Sequence, residues 1–260
     1  MDQTLIELIA RISTFTLMRY LIVAGVFFLV FYVLFKKKWL PKKIQNRFPN
    51  NKDYYREISY SILSLFIFIL IGLIAIRSPL AQGGLRYESF TEHGIGYWFF
   101  SVLLMIIVHD TYFYWTHRSM HHPKIYRLFH KVHHQSTNPS PWAAFAFHPL
   151  EGIVEAGIIF PITFLIPHHV SALFAFLIFM TVYNVYGHLG YEIFPKGFNK
   201  NSIGKWLNTS VAHNAHHAQF KGNYGLYFLF WDRWMGTLRT DYDSSFQEVD
   251  QLRSNSKIIQ

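Results

Sequence analysis

The chain has 260 residues, of which 51% are hydrophobic, 19% aromatic and 15% charged; its formal net charge is +9 and it has no cysteine. So small a charged fraction argues against an ordinary soluble domain and for a membrane protein. The missing cysteine excludes disulfides, iron–sulfur clusters, thiolate zinc sites and cysteine nucleophiles.

In chain order, Met1–Leu17 carries Asp2, Glu7 and Arg11 and lacks the pattern of a cleaved secretory signal, so the first apolar segment is expected to be retained. Leu17–Phe35 is then almost uninterrupted apolar sequence, about the 20 residues that cross a bilayer as a helix. Lys36, Lys37, Lys38, Lys42 and Lys43 follow it directly, a place that suits an anionic leaflet better than nucleic acid. Ile58–Ile76 is a second span and Gly94–Trp115 a third, less pure one that contains His109 and Asp110. Gly152–Ile166 and Val170–Tyr186, parted by Pro167-His168-His169, read as a tight helical hairpin that dips into or crosses the membrane. The expected fold is an all-α integral membrane bundle of about four to five helices or hairpins with a cytoplasmic, histidine-rich helical cap. Residues 1–93 supply two spans and an outside loop, 94–240 the functional domain and 241–260 a polar tail.

The lysine and arginine bias orients the spans. With Lys36–Lys43 inside, the second span runs outward, the third returns, and the hairpin leaves and comes back. On this topology three histidine clusters share the cytoplasmic side: His117 and His121; His130, His133 and His134; His213, His216 and His217. Their internal gaps of one, three and four residues are those that bring side chains together on helices. The second cluster closes a short amphipathic helix expected over Pro123–His134, and the third follows Ser210, read as a helix N-cap. Neutral imidazole is the commonest metal ligand, and eight of them exceed the needs of one ion, so the clusters imply a two-metal, nearly all-histidine site. Imidazole alone leaves iron, zinc and copper open. No H-E-x-x-H is present, which argues against a zinc protease.

His188, at the inner end of the hairpin, is expected as a ninth ligand, level with the clusters. His109, His148, Asp110, Glu151 and Glu192 are expected either as ligands or as groups that orient them. His93, His122, His168 and His169 read as bystanders. Tyr112, Phe113, Trp115, Trp142, Phe145, Phe147, Tyr183 and Tyr186 are candidates to line an apolar tunnel from the bilayer to the metals.

The boxes H-x3-H, H-x2-H-H and H-x2-H-H resemble those of the fatty acid hydroxylase / sterol desaturase superfamily. Supporting segments are His109-Asp-Thr-Tyr-Phe-Tyr-Trp-Thr-His117-Arg118, Ala146-Phe-His148-Pro149-Leu-Glu151 and Phe230-Trp-Asp-Arg-Trp-Met-Gly236-Thr237. The likeness runs from about Gly94 to Leu238. It implies a non-haem di-iron enzyme that hydroxylates or desaturates a C–H bond of a membrane lipid, with O2 as co-substrate. By box position it assigns His117, His121, His130, His133, His134, His213, His216 and His217 as ligands.

No G-x-G-x-x-G or C-x-x-C-H is present, so electrons are expected from an external donor, a cytochrome b5-like or ferredoxin-like carrier with its reductase. The surface of Lys124, Arg127, Lys131, Lys196, Lys200 and Lys205 is one that an acidic carrier would fit, and the same charges follow from the inside bias alone. A bacterial inner membrane and the endoplasmic reticulum both suit the topology. The competing reading is a membrane metal-binding or metal-transport protein without redox turnover.

Overall fold

The structure is a computed structural model that describes residues 4–77 and 83–256. It is an all-α membrane bundle whose helices place the histidines at one end. Helix α1 (Leu5–Phe28) continues into a π-helical stretch, Leu29–Leu34, and a single lysine-rich turn, α2 (Lys36–Trp39). Then come α3 (Asn51–Arg77) and α4 (Phe90–Met120). With its π extension, α1 is long and apolar enough to cross a membrane, and so are α3, α4 and a later helix, α8 (Val170–Gly187).

The helices extend beyond the apolar runs because capping and propensity carry them past their charged ends. Helix α1 begins at Leu5, well before Leu17, and its first turn is capped by the Thr4 hydroxyl, which accepts from Glu7 N. Helix α3 begins seven residues before Ile58, with the Asn50 side chain accepting from Lys52 N and Asp53 N. Ser89 and Glu92 form a capping box on α4, and Gly94, with φ of 74°, kinks the helix just after its first turn. At its other end α4 runs past Trp115 to Met120, so His117 stands on the helix and His121 caps it.

The expected hairpin forms, with its first limb broken in two. Helices α5 (Pro123–Phe129), α6 (Pro149–Ala156) and α7 (Ile159–Leu165) precede α8. The break falls at Gly157 and Ile158, just before Pro161, which lacks the N–H that would continue the helical ladder. Val154 O is taken by the Tyr112 hydroxyl at 2.6 Å, and a Cβ on Gly157 would stand 2.9 Å from that hydroxyl oxygen. Limb α6–α7 leads from the histidine end to the far end. There Leu85 N donates to Thr163 O, and two short parallel strands pair, β1 (Arg86–Tyr87) with β2 (His168–His169). Helix α8 returns to His188, its C-cap.

The first two spans are not a separate unit. Tyr20 and Ala24 of α1 and Leu65 of α3 pack into one core with Phe145, Phe147 and Val185. A second core joins Met105 of α4 to Ile162 of α7 and Phe176 of α8. The cap contains α9 (Ser210–Gln219), α10 (Phe230–Trp234) and α11 (Tyr242–Ser256). The segment expected to be a polar tail is therefore a helix. Its Tyr242, Phe246 and Val249 form an apolar stripe at helical spacing and are buried with Val211 and Ala212 of α9.

Candidate metal centre

The histidines of the three boxes enter the site from different elements. His117 and His121 stand one turn apart at the end of α4. Helix α5 stops at Phe129, shorter than its apolar pattern suggested. His130 is its C-cap, and His133 and His134 sit in a 3-10 turn. Helix α9 carries His213, His216 and His217, and its N-cap is Thr209, whose hydroxyl accepts from Ala212 N; Ser210 is the first helical residue.

The nine histidines sort into two groups, and the sorting cuts across the boxes. His117, His121, His130, His134 and His216 form one; His133, His188, His213 and His217 form the other. Within each group one ring nitrogen per residue lies within 4.8 Å of all the others. Metal–nitrogen bonds of about 2.0–2.1 Å put opposite ligands about 4 Å apart, so each group is of the size that encloses one ion. Residues four apart (His117 and His121, His130 and His134, His213 and His217) go to the same group. Adjacent ones, His133/His134 and His216/His217, are divided between the two and bind the groups into one unit.

The hydrogen bonds at the outer nitrogens set the tautomers. Carbonyls only accept, so Nδ1 must carry the proton where His117 meets Tyr224 O (2.9 Å), His188 meets Asn184 O (2.8 Å), His216 meets Gly222 O (2.7 Å) and His217 meets Ser136 O (3.0 Å). His130 Nδ1 is held by the Glu151 carboxylate at 2.6 Å. The Nε2 atoms then present bare lone pairs to one another, 3.0 Å apart for His117 and His130 and 3.1 Å for His188 and His217. Two acceptors at that distance are not a hydrogen bond; a cation between them reconciles the geometry.

Burial, reinforced by neighbouring imidazoles, holds His130, His133, His213, His216 and His217 well below the ordinary histidine range. His188 is lowered to about 4 by burial, partly opposed by its bond to Asn184 O. All six are therefore neutral at physiological pH, the state that binds a metal.

A braced loop supports the five-histidine group. Asp232 accepts from Tyr224 N (2.9 Å) and the Thr237 hydroxyl (2.7 Å) through Oδ1, and from Gly225 N (2.8 Å) through Oδ2. From the other side Asp110 Oδ1 accepts from Tyr227 N (2.7 Å) and Phe228 N (3.1 Å). This loop presents the Gly222 and Tyr224 carbonyls to His216 and His117. Gly222 has φ of 75°, and a Cβ there would lie 2.6 Å from Thr237 O, so a side chain would displace the carbonyl that orients His216. Glu192 fixes α9, accepting from Val211 N, Phe194 N and the Tyr186 hydroxyl.

A cavity of about 530 Å³ runs among α1, α3, α6–α7, α4 and α8. Its inner end is bounded by Phe113, Phe147 and Asn184. The Phe113 ring lies 4.9 Å from that of His117, and Phe147 lies 5.0 Å from His133, so the cavity abuts both groups. Of the aromatic tunnel candidates, Phe113, Phe145 and Phe147 line it. Tyr112 instead bonds Val154 O, Tyr183 bonds Asn208 O, Tyr186 bonds Glu192, and Trp142 packs against Tyr20. These hydroxyls face fixed backbone and side-chain partners, which draws them away from the apolar lumen.

The residues proposed around the ligands also divide. Glu151 meets a box histidine directly. Asp110 acts on the loop, and His109 bonds the Tyr227 hydroxyl at 2.8 Å while lining the cavity. His148 caps α6 through Leu150 N and stands outside both groups. His122 caps α5 in the same way. His168 pairs with the strand at the far end, where His169 and His93 also pack on Tyr87. Arg19, buried on α1 and lining the cavity, was not singled out from sequence, although a lone charge in an apolar run was visible.

The family model for fatty acid hydroxylases matches residues 102–237. Among curated proteins, the chain is similar to a Delta(7)-sterol 5(6)-desaturase of Gibberella zeae, 28% identical over 205 residues, which is 79% of this chain and 61% of the relative. It is 34% identical over 184 residues to the Delta(7)-sterol 5(6)-desaturase of Leptosphaeria maculans, covering 69% of this chain and 49% of that one. It is 28% identical over 190 residues to the lathosterol oxidase of Homo sapiens, covering 73% and 58%. The chain thus spans about half to three fifths of the length of these relatives. No solved structure matches it.

Proposed function

The chain belongs to the fatty acid hydroxylase family, and from that membership we propose that it is a multi-pass membrane oxidoreductase that holds two iron ions, uses O2, and hydroxylates or desaturates an unactivated C–H bond of a membrane lipid, sterol-like or fatty-acyl. The observation that carries this reading is the convergence of nine histidines, five of them with Nδ1 held so that Nε2 is bare, into two adjoining groups at the end of an apolar cavity. A redox-active metal pair bound there supplies the oxidising power that side-chain acid–base chemistry lacks for an alkyl C–H bond.

The remaining roles belong to the chain's own residues. The Gly222 and Tyr224 carbonyls and Glu151 orient three imidazoles of the five-histidine group. Asn184 and Ser136 orient two of the four-histidine group. Phe113 and Phe147 put apolar surface between the histidines and the cavity, which keeps water from a lipid chain lying there. Lys43 Nζ bonds Gly190 O, so the basic stretch after the first span shares the histidine end. That supports a cytoplasmic active site, in the endoplasmic reticulum or a bacterial inner membrane, reached by an external cytochrome b5-like or ferredoxin-like donor.

The test is turnover of lipid extracts by iron-loaded protein with O2 and a reducing system, with products identified by mass spectrometry. His133→Ala and His216→Ala remove one member of each group, and each is expected to abolish oxidation. Full activity in either variant would contradict the assignment.

A further inference from the structure

Arg19 is a buried cation in the middle of a membrane helix, only 8% exposed, and it lines the apolar cavity. One guanidinium nitrogen donates to Leu177 O at 3.2 Å, and the group lies over the Phe15 ring. Its Nε is buried without a hydrogen-bond partner, and no carboxylate among the described residues is within ion-pair distance. A charge so placed is costly unless something compensates it. Arg11, Arg86 and Glu155 also line the cavity, and Arg86 is paired with Glu88 at 3.8 Å.

We propose that Arg19 binds the carboxylate of a single-chain acidic lipid, a fatty acid, whose hydrocarbon chain extends along the cavity towards the histidines. The guanidinium fork suits a carboxylate, and among the described residues the chain gives Arg19 no carboxylate partner of its own. Leu177, which fixes Arg19, lies eleven residues before His188 on the same helix. At about 1.5 Å per residue the head group sits about 16 Å from the histidine end. The cavity then acts as a ruler, and the carbon that meets the site is counted from the carboxylate. Only this last consequence rests on the proposed lipid oxidation; the binding itself needs no turnover.

The test uses the full-length, metal-loaded protein in phosphatidylcholine nanodiscs without reductant, with hexadecanoate and methyl hexadecanoate as the probes. Hexadecanoate is expected to bind about tenfold or more tighter than its methyl ester, the difference made by a charge-assisted hydrogen bond. Arg19→Gln should erase that preference by weakening the acid alone, and Arg19→Lys should keep part of it. Equal binding of acid and ester by the wild type would overturn the proposal, and that ratio decides the matter even if Arg19→Gln does not fold. So would an affinity for hexadecanoate that Arg19→Gln leaves unchanged. An acid preference in a protein that oxidises no lipid would contradict the functional reading and leave this one standing.

Discussion

Replacing Asp232 with asparagine tests whether the two histidine groups are supported independently. The carboxylate accepts three hydrogen bonds, from Tyr224 N, Gly225 N and the Thr237 hydroxyl, and is fully buried. Asparagine keeps one oxygen and turns an NH2 towards a donor. If the oxygen stays on the Tyr224 and Thr237 side, Gly225 N–H loses a charge-assisted bond of about 1.5–3 kcal/mol and is left buried and unpaired at a further cost of about 1–3 kcal/mol. A local destabilisation of about 2.5–6 kcal/mol is therefore expected in the loop whose Gly222 and Tyr224 carbonyls orient His216 and His117. Both of those histidines belong to the five-membered group. His188 and His217, in the other group, are oriented by Asn184 and Ser136. Losing such outer support typically weakens metal binding about 10–100-fold, so one group should empty before the other. Elemental analysis of purified Asp232→Asn after graded dialysis against a chelator should show a plateau at half the wild-type metal content. A single-step loss of all metal, or a curve identical to the wild type, would refute the independent support of the two groups.

Two further outcomes follow from the same geometry. Glu151→Gln replaces the carboxylate at His130 Nδ1 with a neutral acceptor; iron should dissociate about 10–100-fold faster, while the variant remains folded by circular dichroism. In metal-free protein the buried histidines of the cap have pKa values below that of the unfolded chain, about 6.5. The unfolded state then binds more protons as pH falls through 6.5, so stability is full above that value and declines below it. Unfolding of apo protein followed from pH 8 to pH 5 should show this slope, and metal loading should oppose it.

The boxes were legible because metal binding needs particular side chains at particular spacings, and helical periodicity is written in the sequence. His188 is expected near the boxes from its residue type and the topology of the hairpin, and it lies in the four-histidine group. The division of the histidines into two groups is not visible in the sequence. It arises because adjacent histidines on a turn diverge, and it depends on where His130, His133 and His134 leave helix α5. Asp232 lay in a quoted motif, yet its role depends on backbone donors brought to it by folding. Tyr112, Tyr183 and Tyr186 misled as tunnel residues because composition shows an aromatic surface but not which hydroxyls already have partners. The helical tail was in plain view as Tyr242, Phe246 and Val249, and its polar composition outweighed that stripe.

If the nine histidines form two metal sites rather than one, the metal count reads it out. Protein purified after iron loading, assayed by elemental analysis against amino-acid quantitation, should hold two ions per chain, one for each histidine group. His188→Ala should weaken one of them and spare the other. A wild-type content of one ion per chain, or a content unaffected by His133→Ala and His216→Ala, would contradict the account.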